Sequence, residues 1–140
     1  MAPDFEIQGS NLLNEQFGKW PSFHDSEIVS INFDRAKEER NPSIAVKVHV
    51  FEMTSEANDN GFYNLTNHCD IEFHFESVEE VALNGFNHQN VISDIYFSQK
   101  TDSNGVSKIY VEFEPCYGLE LEFMCGKVTV KSVTPRDPKN

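Results

Sequence analysis

From residue 27 onward, apolar and polar residues alternate with a period of two. Successive side chains of an extended chain point to opposite faces, so this period is the mark of half-buried strands. In 27–34, Val29, Ile31 and Phe33 are expected on one face and Ser30, Asn32 and Asp34 on the other. In 43–51, Ile44, Val46, Val48 and Val50 alternate with Ala45, Lys47, His49 and Phe51. In 68–76, Ile71, Phe73 and Phe75 oppose Asp70, Glu72, His74 and Glu76. Further strands are expected at 91–98, 106–114, 119–125 and 127–134. Ser103-Asn104-Gly105 supplies a hairpin turn and Gly126 a tight turn between the last two strands. Residues 35–42 read as a charged loop and 54–61 as a polar loop. The stretch 77–90 fits either a helical turn or a short strand. A strand or bend is preferred, with Val78, Val81 and Leu83 before a turn at Asn84, Gly85 and Asn87.

One helix precedes the strands. Residues 10–17 have Ser10 as N-cap, Leu13 and Phe17 four apart on one face, and Gly18 as a stop. Trp20-Pro21 then breaks any helix. About seven strands and a short N-terminal helix give an α+β chain that is mostly β, either one antiparallel sheet or two packed sheets. A length of 140 residues fits a single domain, with an ordered core over about 10–135 and a short tail marked by Pro135 and Pro138. The hydrophobic share is 39%, with twelve Phe, so a core can form without disulfides or metals.

Cys69, Cys116 and Cys125 cannot all pair within one chain, and none stands in a CxxC arrangement. Each lies in or beside an apolar strand pattern, so all three are expected as reduced core or near-core residues. No apolar run approaches the length of a membrane span. The opening Met1-Ala2-Pro3-Asp4-Phe5-Glu6 lacks the features of a secretory signal, and the cytoplasm is the expected compartment.

Charge narrows the partners. Eleven Lys plus Arg against 23 Asp plus Glu give −12. Such a chain repels the phosphate backbone, so nucleic acid and anionic membranes are not expected partners. A basic protein is, because opposite charge raises the association rate. The outward positions carry much of the acidity: Asp70, Glu72 and Glu76; Glu112 and Glu114; Glu120 and Glu122. Like charges on neighbouring strands destabilise each other. Either the chain keeps a negative surface for a partner, or these strands are not neighbours, or they expose charge against edge pairing. Tyr117 is either an exposed interface anchor or a partly buried corner residue.

The densest cluster is 20–27, Trp-Pro-Ser-Phe-His-Asp-Ser-Glu. Adjacent His24 and Asp25 invite a catalytic reading, with His24 as base. On a strand they would face opposite sides; in a turn both could aim into one pocket. The structural reading does better. It has Trp20 and Phe23 plugging the core, while His24 and Asp25 bond to loop backbone and fix the lead-in to the first strand at Glu27. His24, His49, His68, His74 and His88 show no HxH or HxxxH spacing. His68 and His74, with Asp70 or Glu72 between them, are expected to be solvated rather than to hold zinc. Gly-x-Ser-x-Gly, GxGxxG and Walker A patterns are absent. Asn87 and Asn90 are read as turn caps. No cofactor, metal or catalytic activity is expected.

Trp20-Pro21-x-Phe23-His24-Asp25-x-Glu27-Ile28, followed by an alternating strand, resembles the opening motif of the immunity protein 50 family of bacterial polymorphic toxin systems. Gly85-Phe86-Asn87 to Asn90-Val91 and Tyr117-Gly118 to Phe123 resemble its later landmarks, so the likeness runs from about Phe17 to Pro135. It implies an α+β protein that protects a bacterium by binding a cognate toxin, and it implies no catalytic residue. The alternative is a metal-assisted hydrolase using His24, Asp25 and Glu27. A third reading is a homodimer formed through an exposed sheet edge.

Overall fold

A computed structural model describes residues 2–36, 41–57, 61 and 63–136. The helix is α1, Asn11–Phe17, and it buries Leu13 and Phe17, one turn apart. Gly18 ends it in the left-handed conformation at φ 74, donating its N–H to the Asn14 carbonyl at 2.7 Å. Ser10 makes no side-chain capping bond. Its carbonyl instead accepts the N–H groups of Leu13 and Asn14.

The alternating segments form β1 (Glu27–Asp34), β2 (Ser43–Ala57), β3 (Tyr63–Glu76), β4 (Glu79–Asn84), β5 (Val91–Thr101), β6 (Ser107–Tyr117), β7 (Glu120–Cys125) and β8 (Lys127–Pro135). There are eight strands rather than seven because the ambiguous stretch after residue 77 supplies β4. Residues 54–57, expected in a polar loop, extend β2, and β3 begins at Tyr63; 58–60 and 62 lie outside the described residues. Polar side chains do not prevent a strand when the partner strand supplies backbone hydrogen bonds. Of the charged loop, 35–36 and 41–42 lie outside strands and 37–40 are not described. Pro138 lies outside the described residues too.

The strands form one sheet in the order β4-β7-β6-β5-β1-β2-β3-β8, every neighbour antiparallel. In β2 and β3 the expected inward residues Ile44, Val46, Val48, Val50, Ile71, Phe73 and Phe75 are all buried. In β1 the alternation is interrupted. Ile28 pairs with Val48 and Ser30 with Lys47, so Val29 is the extra residue of a bulge. Ile28, Ile31 and Phe33 therefore stand opposite the core residues Val48, Val46 and Ile44; Ile28 is buried and Ile31 partly so, while Phe33, near the strand end, is exposed like Val29.

The sheet is continuous but folded. β1 and β5 share a single paired position, Glu27 with Val91, flanked by bonds from Ile28 N–H to the Asn90 carbonyl and from Ile92 N–H to the Ser26 carbonyl, each 2.9 Å. About this seam the inner faces of the two halves meet. Phe75 of β3 lies edge-on to Phe123 of β7 at 4.8 Å and to Phe113 of β6 at 6.1 Å. Phe73 meets Phe97 of β5 at 6.2 Å. Each buried Phe contributes about 1.5–3 kcal/mol, and each aromatic pair about 0.5–1.5 kcal/mol more.

A second connection lies across the molecule. β3 pairs with β8 up to Glu76 and Lys127, and β4 pairs with β7 from Glu79 and Met124. The two pairings are one ribbon, bent where Ser77 takes φ 56 and Gly126 donates its N–H to the Glu76 carbonyl at 2.8 Å. Gly126 thus carries the chain around a corner between halves, not through a hairpin. A Cβ there would stand 3.2 Å from the Ser77 Cβ. The hairpin at 102–106 forms as expected, with Gly105 at φ 80 and Asp102 Oδ1 accepting from Asn104 and Val106 N–H.

Candidate partner-binding face

The expected acidic positions all lie on outer faces, but not on one face. Asp70, Glu72 and Glu76 belong to β3, and Glu112, Glu114, Glu120 and Glu122 to β6 and β7. Because the halves meet by their inner sides, these groups look out from opposite sides of the molecule.

On the β3 side, positive groups stand among the acids. Lys47 pairs with Glu72 and Lys127 with Glu76 across the strands. Asp70 is 3.3 Å from Arg136 Nη1, and Glu72 is 2.9 Å from His74 Nε2. His49 Nε2 lies 3.0 Å from His68 Nδ1. Burial, then Arg136 and His68, hold the His49 imidazole below its usual value.

On the other side, carboxylates stand against carboxylates. Glu112 is directly opposite Glu122, and Glu114 opposite Asp94. Glu120 lies on the same face of β7 as Glu122, two residues away. Burial, then Glu114, Glu122 and Glu120, push the Glu112 carboxyl up. Among the described residues, Glu112, Glu114, Glu120 and Glu122 enter no ion pair. Two tyrosines join them. Tyr96 faces Glu112, and Glu114 is the main reason its hydroxyl resists ionisation. Tyr110 donates its hydroxyl to Glu122, which pushes its pKa up to about 12. Ser93 Oγ donates to Glu114 Oε1 at 2.6 Å. Asp94, Tyr96 and Tyr110 were not singled out from the sequence. Their alternation with Ile95, Phe97 and Val111 is visible there, but their place beside Glu112 depends on a register that bulges shift near Ile92.

The three motif segments converge at the β1–β5 seam. Phe23 is fully buried against Phe73 and Trp20, at 5.9 Å from each. The left-handed glycines Gly85 and Gly118 pack so closely that a Cβ on Gly85 would stand 2.5 Å from the Gly118 carbonyl oxygen, and one on Gly118 2.5 Å from that of Gln89. Asn90 Oδ1 accepts from Asn87 N–H at 3.0 Å, and Asn87 Oδ1 from Gln89 N–H at 2.7 Å, so both asparagines close the turn. Tyr117 is 65% exposed at the end of β6, paired with Val91 and apart from the acidic rows.

His24 and Asp25 are exposed on a turn, with their side chains 3.6 Å apart. The backbone, not the side chains, fixes them. Asp25 N–H donates to the Ile92 carbonyl at 3.0 Å, and His24 N–H to Ser22 Oγ at 3.3 Å. Glu27 does not join them. It pairs with His49 and Val91 and lines a shallow groove with Phe86, His88 and Arg136. Cys69 and Cys125 are buried, and burial pushes each thiol up to about 12. Cys116, expected near the core, is exposed, because it continues the outward row of Glu112 and Glu114 and is the unpaired residue between Pro115 and Tyr117 near the end of β6. No described helix is long and apolar enough to cross a membrane.

A family model described as immunity protein 50 matches residues 9–136. No curated protein and no solved structure matches the chain.

Proposed function

The chain belongs to the immunity protein 50 family, and from that membership we propose that it neutralises a cognate toxin by direct protein–protein contact, in the cytoplasm and without catalysis. The docking surface is the outer face of β5, β6 and β7, with Glu112, Glu114, Glu120 and Glu122 at its centre. The partner presents a basic surface. Asp70, Glu72 and Glu76 lie outside this contact, and Tyr117 is an aromatic anchor at its margin.

The observation that carries this reading is the row of carboxylates Glu112, Glu114, Glu120 and Glu122, which enter no ion pair among the described residues, with Glu112 opposite Glu122. Like charges directly opposed on neighbouring strands cost roughly 0.2–1 kcal/mol. A basic partner offsets that repulsion while gaining its own attraction, and the field speeds encounter. The same field repels nucleic acid and anionic membranes.

The test begins with the purified full chain as bait at low salt. The captured toxin is then produced separately, and its association rate is measured across a salt series. The reading expects a rate that falls steeply with ionic strength and protection of cells that express the toxin. Salt-independent association sinks the acidic docking surface. Protection without a stable complex sinks direct neutralisation.

A further inference from the structure

The turn before β1 and the end of β6 bring three unlike donors to one point. His24, Asp25 and Cys116 each offer a ligand atom within 4.8 Å of the other two. We propose that these residues form a site for one divalent transition-metal ion of the zinc class, with its fourth position open to water or to a donor from another molecule.

The backbone makes the convergence possible. Adjacent residues on a strand point apart, but Asp25 takes φ 65, so His24 and Asp25 reach the same side of a turn. Both ligand-bearing segments are anchored to the same part of β5. Asp25 N–H bonds to the Ile92 carbonyl, while Pro115 pairs with Ile92 and Tyr117 with Val91, which holds Cys116 between them. The backbone therefore brings the three side chains within reach of one another.

The spacing suits a small tetrahedral ion. Bonds of about 2.0–2.3 Å put ligand atoms about 3.3–3.8 Å apart. His24 Nε2 and Asp25 Oδ2 already stand 3.6 Å apart. Rotation of the exposed Cys116 side chain by about 1 Å closes the set. The donor types select the ion. An imidazole, a carboxylate and a thiolate suit zinc and its neighbours, whereas magnesium and calcium prefer all-oxygen shells. As the metal–sulfur bond forms, the Cys116 thiol gives its proton to solvent, so affinity rises with pH. The other cysteines are buried. The His49–His68 pair lacks an exposed thiol, because Cys69, next to His68 in sequence, is buried in the core, and its neighbour Asp70 is engaged by Arg136.

The experiment titrates cobalt(II) into the reduced, chelator-treated full chain. A thiolate-to-cobalt charge-transfer band should saturate at one equivalent and vanish when zinc is added. Cys116→Ser should remove the band. His24→Ala, and Asp25→Asn in a residue type that tolerates the left-handed turn, should each weaken cobalt binding roughly tenfold or more. His49→Ala should change nothing. Circular dichroism shows whether each variant keeps the fold, and all four positions are at least partly exposed. The proposal is overturned by a missing band, by a band that survives Cys116→Ser, by undiminished affinity in folded His24→Ala or Asp25→Asn, or by loss of binding in His49→Ala.

Discussion

The outer faces of the two halves rest on the same alternation and on the same phenylalanine core, yet they treat charge in opposite ways. On β2, β3 and β8, acids alternate with Lys47, Lys127, His74 and Arg136. On β5, β6 and β7, Glu112 faces Glu122 and Glu114 faces Asp94 beside two tyrosine hydroxyls, and the cations Lys100 and Lys108 stand together at one end of the face. The contrast extends to pH. His49 resists protonation on the first face, so stability there is present above the ordinary imidazole value and is lost as pH falls. Glu112 resists ionisation on the second, so stability there is lost as pH rises past the ordinary carboxylate range and recovered as pH falls. The first face balances its charge strand by strand; the second, the proposed docking surface, keeps its carboxylates next to one another.

If the two faces belong to one cooperative body, Phe75→Ala should show it most severely. Phe75 touches both Phe113 and Phe123 across the seam. Its loss should cost about 3–5 kcal/mol in urea unfolding, with a single transition preserved. Two separate transitions would mean that the halves fold independently. Next comes the double reversal Glu112→Lys with Glu122→Lys, which should weaken toxin binding roughly 30-fold or more by calorimetry. Asp70→Lys with Glu76→Lys should leave affinity within about threefold, as expected of charges outside the contact. Equal losses would erase the distinction between the faces. Smaller effects should show in stability. Glu112→Gln should raise stability at pH 7 by roughly 0.2–1 kcal/mol, an advantage that fades by about pH 4. His49→Gln should flatten the decline in melting temperature between pH 7 and pH 5, a change smaller than that from Glu112→Gln. A decline as steep as in the parent chain would place the pH sensitivity elsewhere.

The fold was largely legible because period two is a local property. Ile44 to Val50 and Ile71 to Phe75 announce their burial without reference to any partner. The helix was legible for the same reason, down to its stop at Gly18. What failed to show depends on pairing. The bulge at Val29 exists only because β2 runs past it in a given register, and β4 is a strand because β7 lies beside it. The candidate face was half legible. Each acid could be assigned outward from its neighbours, but sorting β3 from β6 and β7 requires the strand order, which no single strand encodes. The exposure of Cys116 was legible, since it shares the outward parity of Glu112 and Glu114, but the apolar residues around it drew it toward the core reading.

The strand order also has a consequence in time. β8 is the last of the eight strands in sequence, and it pairs with β3, Cys69 opposite Pro135. β5, β6 and β7 follow one another along the chain and pair with their immediate successors. So do β1, β2 and β3, which emerge first during synthesis, yet their half stays incomplete until β8 emerges and closes a long loop, the slow kind of step. In that interval β3 presents an unpaired edge, a template for aggregation. The burden of misfolding thus falls on the half that faces away from the proposed docking surface.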